Sequence, residues 1–386
     1  MSAGDTLRDC CAIVGIGETA LGRLPDRAAL DLAQEAALAA LADAGLPPRE
    51  VDGIVSQSPY AEWIGMASIR LGELLGLTPL RWAQDLYLGG ATACAMAQLA
   101  AQAIVTGQAT AVLCAFGEGR SAVPESRRRQ IEPEEFLAPF GLMRVLQWYA
   151  LGCRRHMHEF GTTSRQLGEI AVAQRRHAAL TPSATQREPI TIEDHQRSRP
   201  VVEPLRLLDC CLVSDGGGAF VVTSAERARG LRRRPVLLSG MAQAHPHRDP
   251  LQAGSLTTTG AALAGPRAFA MAGLGPEDVD VALLYDCFTY AVLVQLEDYG
   301  FCKKGEGGSF VEGGRIAPGG DLPVNTHGGM LSQANLEGML HVTEAVTQLR
   351  GAAGPRQVPG AHVALVSGNG GVLAAHSTLV LTQGAA

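Results

Sequence analysis

ADAGLPPREVDGIV, residues 42–55, returns as AMAGLGPEDVDVAL, residues 270–283. Ala44-Gly45-Leu46 matches Ala272-Gly273-Leu274, Pro48 matches Pro276, and Val51-Asp52 matches Val279-Asp280, all at one offset. Each copy reads as an Ala/Leu helix stopped by glycine, a proline turn that cannot continue it, and a short apolar strand. A repeat at this distance is too long for a solenoid, whose units span about 20–50 residues. The chain is therefore read as two similar α/β halves built from strand–helix–strand units.

Outward from the first copy, AIVGIG (12–16 and the following glycine) is a strand, and residues 28–45 form the helix that the repeat ends. Leu86-Tyr87-Leu88 runs into Gly89-Gly90-Ala91-Thr92-Ala93-Cys94, then a helix of small residues, then the buried strand ATAVLCAFGEG. Gly89-Gly90 thus sits at a strand-to-helix turn, where backbone N–H groups are unsatisfied. Outward from the second copy, LLYDCFTYAVLVQLEDYGF (283–301) reads as strand, polar turn and helix. Its turn, Tyr285-Asp286-Cys287-Phe288, lies at a strand's carboxyl end, where open α/β sheets place their chemistry. LPVNTHGGMLSQANLEG (322–338) follows, with His327, Ser332 and Asn335, and leads into a further helix. HVALVSGNGGVLAAHSTLVLTQ at the end reads as two strands joined by a Gly368-Asn369-Gly370-Gly371 turn. Between the halves, residues 119–200 are richer in charge and aromatics and read as an inserted helical cap. Their Arg127-Arg128-Arg129 run is either a solvated face or a phosphate contact.

Composition narrows the function. In 386 residues, 46% are hydrophobic and 18% charged, with a formal net charge of −6. That balance supplies a large core and argues against a nucleic-acid binder. Nine scattered cysteines, with Cys10-Cys11 and Cys210-Cys211 adjacent, form no disulfide or CxxC metal pattern and suit reduced thiols in the cytoplasm. No secretory leader and no membrane-spanning run is expected.

The segments DCCLVSDGGGAFVV, YDCFTYAVLVQLEDYGF, LPVNTHGGMLSQANLEG, TEAVTQLRG and SGNGGVLAAHSTLVL resemble the thiolase superfamily, in its sterol-carrier-protein-type branch. The resemblance spans essentially the whole chain. It implies an α/β fold of five layers, αβαβα, with two duplicated halves and an inserted loop domain. It divides the chain into residues 1–118 with 201–255, an insertion at 119–200, and residues 256–386. It also implies a homodimer, CoA thioester substrates, and neither a metal nor any other cofactor.

The departures from that pattern carry the functional expectation. A thiolase places its cysteine nucleophile at the turn before the central helix, and here that position is Gly90. Cys94 lies a turn deeper and reads as a small buried hydrophobe. The thiolase histidine position in QANLEG is Asn335, and SGNGG lacks the C-terminal cysteine. Without a thiolate there is no acyl-enzyme, so ordinary thiolysis is not expected. A tyrosine in the YDCF element instead resembles the lipid-transfer-protein aldolases, which cleave a steroid side chain held as a CoA thioester. That subgroup has a second tyrosine near the lost histidine, where this chain has Asn335, and works with a small OB-fold, zinc-ribbon partner.

A retro-aldol reaction needs a base, an enolate oxyanion site and an acid. Tyr285 is the candidate base and Cys287 the candidate acid, with His327 as an alternative titrating group. Asn335 is a hydrogen-bonding group that cannot take a proton. Backbone N–H groups of Gly90, Gly368 and Gly370 are candidates for the oxyanion site, with Asp286 orienting the turn beside them. Glycine at 90 is also expected to open room for a branched α-carbon, and Tyr290 is expected to pack. Two other classes stay open: an acyltransferase using Cys94 or Cys287, and a non-catalytic acyl-CoA or lipid carrier.

Overall fold

The two copies of the repeat fold alike, bond for bond. Gly45 and Gly273 end their helices in the left-handed region, at φ 72° and 68°. Leu46 N–H then donates back to the Leu41 carbonyl at 3.0 Å, and Leu274 N–H to that of Phe269 at 3.1 Å. Glycine serves here because it takes this conformation without the Cβ penalty. Asp52 accepts from the N–H groups of Thr110 (2.7 Å) and Ala111 (3.1 Å), and Asp280 from those of His362 (2.7 Å) and Val363 (2.9 Å). In each half the same carboxylate therefore clamps the repeat's strand to its parallel neighbour.

These details come from a computed structural model that describes residues 7–77, 79–127, 137–142 and 144–384. Arg128 and Arg129 of the basic run lie outside the described residues. The first half runs β1 (Cys11–Glu18), α1 (Ala29–Ala44), β2 (Gly53–Ser56), α2 (Ala67–Leu75), β3 (Trp82–Asp85), α3 (Thr92–Val105) and β4 (Ala111–Glu118). The insertion follows with α4 (Val145–Phe160), α5 (Ser164–Ala179), α6 (Ile192–Arg197) and the small hairpin β5 (Pro200–Val202) and β6 (Leu205–Arg206). The chain returns through β7 (Gly216–Ser224) and α7 (Ala225–Ala228). The second half is β8 (Val236–Ala244), α8 (Ala261–Ala272), β9 (Val281–Leu283), α9 (Thr289–Asp298), α10 (Gly307–Phe310), α11 (Gly329–Ser332), α12 (Met339–Leu349), β10 (Val363–Gly370) and β11 (Ala375–Gln383).

The strands join in the order β3-β2-β4-β7-β1-β8-β11-β10-β9. Strands β1 and β8 meet only through Ala12↔Leu237 and Ile13↔Val236, and there the sheet passes from one half to the other. Strand β8 pairs with β11 along its whole length, from Ala244↔His376 to Val236↔Gln383. That ladder assigns β8 to the second half, so the expected boundary after residue 255 moves to the loop before Val236. Helices α3 and α12 contact each other and the strands of both halves. Helix α1 covers the outer face of the first set of strands, and α8, with α9 beside it, the outer face of the second. The result is the expected αβαβα stack. The middle layer is rich in small residues: Ala93, Cys94, Ala97, Ala100 and Ala101 of α3 are buried, which lets two helices fit between the two halves of the sheet.

Two features of the fold bear on the site. Gly368 and Gly370 belong to β10 rather than to the turn, which is Gly371–Ala374. Glycine is needed there for close approach: a Cβ at 368 would lie 2.7 Å from the Gly90 carbonyl oxygen, and one at 370 only 1.7 Å from that of Leu88. The insertion is also pinned to the body by buried polar pairs. His156 Nε2 meets Glu297 at 3.1 Å and His195 Nε2 meets Asp209 at 2.8 Å. Arg175 donates to Ser332 at 2.9 Å and Gln333 to Ser183 at 3.1 Å, so the cap steadies the strip around α11. No helix among the described residues is long and apolar enough to cross a membrane.

Candidate active site

Strand β9 ends at Leu283, and the next residues are fixed by Asn325. The Asn325 side chain accepts from the Leu284 N–H (2.8 Å) and donates to its carbonyl (2.9 Å), while Gln295 donates to the Tyr285 carbonyl (2.8 Å). This locks the backbone and directs the Tyr285 ring inward, where it is 6% exposed and stacks on His341 with centroids 6.4 Å apart. A Cβ built on Gly90 would lie 2.0 Å from Tyr285 Cζ and 2.3 Å from its hydroxyl oxygen. The phenol therefore occupies the volume that a side chain at position 90 would fill. The expected open space at Gly90 is not there, because Tyr285 has taken it.

The walls around the phenol come from distant parts of the chain. Gly338 brings its Cα against the Gly90 carbonyl and the Tyr285 ring. On the other side, Tyr149 of α4 reaches in from the inserted cap. It is fully buried, packs on Phe288 at 4.8 Å, accepts from Asn369 Nδ2 at 2.6 Å and hydrogen-bonds the Cys287 thiol. Burial pushes the Tyr285 and Tyr149 phenols and the Cys287 thiol well above their ordinary values. At neutral pH these groups are protonated donors, and neither phenolate nor thiolate forms without a nearby acceptor.

The geometry bears on three more of the candidates, and Asp286 orients its turn as expected. Asp286 does not face the phenol pocket: it is fully buried and accepts from Met330 N–H (3.0 Å), Leu331 N–H (3.1 Å) and His341 Nε2 (3.0 Å). It fastens the YDCF turn to α11. His327 is 1% exposed, neither ring nitrogen has a hydrogen-bond partner, and its ring meets the edge of His341 at 4.8 Å. Burial drives it far below its usual value, so it stays neutral. Asn335 spends its side chain on the protein. Its Nδ2 donates to Cys211 Sγ (3.4 Å) and its Oδ1 accepts from the Glu337 N–H (3.2 Å).

Other expectations are met. Tyr290 is fully buried and donates to the Leu256 carbonyl at 2.7 Å. Cys94 is 1% exposed, with its sulfur 3.9 Å from the Val366 carbonyl and its thiol pushed upward by burial. All nine cysteines are free.

Sequence reasoning passed over two residues. Tyr149 belongs to the inserted segment, and an aromatic in an amphipathic helix gives no sign of where that helix docks. Glu337 is half-buried, acts on the Tyr285 phenol and sits in the left-handed region at φ 52°. Burial, reinforced by the charge of Glu118, pushes its carboxyl up to about 7 against the lowering effect of the Tyr285 hydrogen bond. The available signal was a lone carboxylate in the apolar run ANLEGML, two residues beyond the vacated histidine position.

Comparison with known proteins places this geometry. Residues 242–383 match the family model for the thiolase C-terminal domain. The chain is 42% identical to a steroid side-chain-cleaving aldolase of Thermomonospora curvata, over 89% of this chain and 91% of that protein. It is 41% identical to the 17-hydroxy-3-oxo-4-pregnene-20-carboxyl-CoA lyase of Mycobacterium tuberculosis, over 93% of this chain and 96% of that one. Among solved structures, the Ltp2-ChsH2(DUF35) aldolase superposes with a TM-score of 0.89 at 40% identity, covering 98% of this chain and 99% of that one.

Proposed function

The chain belongs to the thiolase superfamily, among its steroid side-chain-cleaving aldolases, and from that premise we propose the chemistry of its site. It is a carbon–carbon lyase that cleaves a β-hydroxyacyl-CoA thioester by retro-aldol reaction. Cleavage of a steroid side chain gives a ketone and a short acyl-CoA such as propionyl-CoA. The observation that carries this reading is the Tyr285 ring standing where a nucleophile at position 90 would be. A thiolase and this site cannot coexist in that volume.

Tyr285 accepts the proton of the β-hydroxyl as the Cα–Cβ bond breaks. Backbone N–H groups at Gly90 and along Gly368–Gly370 receive the thioester enolate, and preorganised donors of this kind contribute about 3–4 kcal/mol each when deleted singly. Cys287, oriented by Tyr149, returns a proton to the α-carbon. Asp286, Asn335 and His327 act through the scaffold and do not touch substrate. No cofactor beyond the CoA of the substrate is used.

We place the enzyme in the cytoplasm as a homodimer core joined by a small OB-fold, zinc-ribbon subunit. A partner is suggested by the solved relative, which is an assembly of an aldolase with ChsH2(DUF35). The deciding experiment incubates the protein, with and without such a partner, with a steroid β-hydroxy-α-methylacyl-CoA. Appearance of the ketone and propionyl-CoA is the expected result. Acyl transfer to labelled CoA would favour the acyltransferase alternative, and tight binding without turnover the carrier.

A further inference from the structure

The retro-aldol reading leaves a difficulty at Tyr285. A free phenol ionises near pH 10, and burial raises this one further, so it needs somewhere to send its proton. We propose that Glu337 is that acceptor, the Tyr285 phenol passing its proton to the Glu337 carboxylate as it takes the proton of the substrate hydroxyl. The proposal rests on the retro-aldol reading for its substrate and on geometry for its residue.

The geometry proceeds by elimination among the described residues. Asp286 is saturated by two backbone N–H groups and His341. His341 stacks on Tyr285 with its Nε2 bonded to Asp286 and the Leu284 carbonyl, and its Nδ1 makes no hydrogen bond to the phenol or to any other group. Glu118 accepts from the backbone N–H groups of Tyr60 (2.7 Å), Ala61 (3.3 Å) and Gly119 (3.1 Å). His327 lies behind His341, and the Asn335 amide cannot take a proton. Glu337 remains: its carboxyl acts on the phenol, and the adjoining Gly338 stands against the Tyr285 ring, where a Cβ would lie 3.5 Å from Cδ2. It is held there in the left-handed region, unfavourable for a residue with a Cβ, by the Asn335 Oδ1 bond to its N–H. Asparagine at 335 thus has a job: it aims the carboxylate.

The step balances. The hydroxyl proton moves to Tyr285 and the phenolic proton to Glu337. The Cα–Cβ pair passes to the enolate while the β-carbon becomes a carbonyl. Cys287 protonates Cα, and the proton held on Glu337 returns to the thiolate. One proton has moved from oxygen to carbon, with no oxidant, reductant or water consumed.

The groups facing Glu337 are Tyr285, Glu118, and the Cys211 and Cys287 thiols. Its carboxyl ionises at about 7, so wild-type kcat rises with pH through that region. Glu337→Gln keeps the size and removes the acceptor. It is expected to lower kcat by about 10²–10³-fold with KM held, and to abolish the pH limb near 7. Glu337→Asp is expected to restore part of the rate and of the limb. Independently of turnover, infrared titration should show a carboxyl protonating near 7. That signal should be lost in Glu337→Gln and moved to higher pH in Tyr285→Phe, where the bond that lowers it is gone. Wild-type kcat and an unchanged limb in Glu337→Gln, or no such carboxyl in the titration, overturns the inference. Failure of the wild type to cleave the thioester overturns the retro-aldol reading instead, and the infrared result still decides the carboxyl's identity.

Discussion

The two halves each bring a central helix to the middle layer, and the turns that open those helices are opposites. Before α3 the turn is Gly89-Gly90, which presents no side chain at all and is filled from outside by Tyr285. Before α12 the turn is Glu337-Gly338, both residues at positive φ, and it presents a carboxylate. The two meet directly, since a Cβ on Gly338 would stand 3.2 Å from the Gly90 carbonyl. A duplicated scaffold supplies two equivalent helix ends, one emptied of side chain and the other charged. Tyr285 lies between them and belongs to neither.

The comparison is broken most severely by refilling the empty turn. Gly90→Cys forces a Cβ into the Tyr285 ring, an overpacking that typically costs about 1–3 kcal/mol or more. Cleavage is expected to fall to background and thermal stability to drop. Gly90→Cys with Tyr285→Ala should regain much of the lost stability without regaining cleavage. A double-mutant cycle by denaturant unfolding measures this coupling, and strict additivity would refute the contact.

A smaller effect is expected from Tyr285→Phe, which keeps the packing and removes the hydroxyl. kcat should fall by about 10²–10⁴-fold while folding and CoA-ester binding persist. Near-wild-type cleavage would remove the phenol from the mechanism. Tyr290→Phe serves as the matched control. It loses one buried hydrogen bond, about 1 kcal/mol of stability, and should leave kcat within a few-fold.

The mildest test concerns the scaffold behind the charged turn. Asn335→Ala frees the Glu337 N–H and leaves Tyr285 in place, so kcat should fall about tenfold with the pH limb near 7 broadened or displaced. Loss of rate without any change in that limb would make Asn335 a merely structural residue. His327→Gln should change kcat less than Asn335→Ala does, since its ring contacts His341 and not the phenol.

Stability against acid offers a further check on the buried histidines of the cap and of β11. Burial lowers His177 to about 4 and His376 to about 3. Because these folded values lie below the unfolded value near 6.5, the unfolded chain binds protons first. Stability should therefore be full above pH 6.5 and decline as pH falls toward 4. Melting temperatures across that range, compared with His376→Gln, would show it as a shallower decline in the variant.

The fold was legible because the repeat is written in residues whose backbone roles are narrow. Glycine ends a helix, proline blocks it, and an aspartate clamps the next strand, and the structure repeats these bonds in both copies. Tyr285 and Cys287 were legible because they sit on a strand end that the repeat itself locates. Glu337 was not, because nothing in a glutamate's identity announces a left-handed backbone. Tyr149 was not, because the periodicity of an inserted helix fixes its apolar face and not the body it docks on. The final glycines misled for a related reason: a glycine that permits close approach looks, in sequence, like one that permits a turn.

The packing of Tyr285 against Gly90 also fixes the routes by which such a protein can change. Each of the two residues is tolerable chiefly in the presence of the other. Restoring a cysteine at 90 meets the ring, and trimming the ring first leaves neither nucleophile nor phenol. Under the mechanism proposed above, both single steps away are expected to give inactive neighbours, so acyl transfer and retro-aldol cleavage would lie two substitutions apart on this scaffold. Redesign of the site must therefore exchange the pair together.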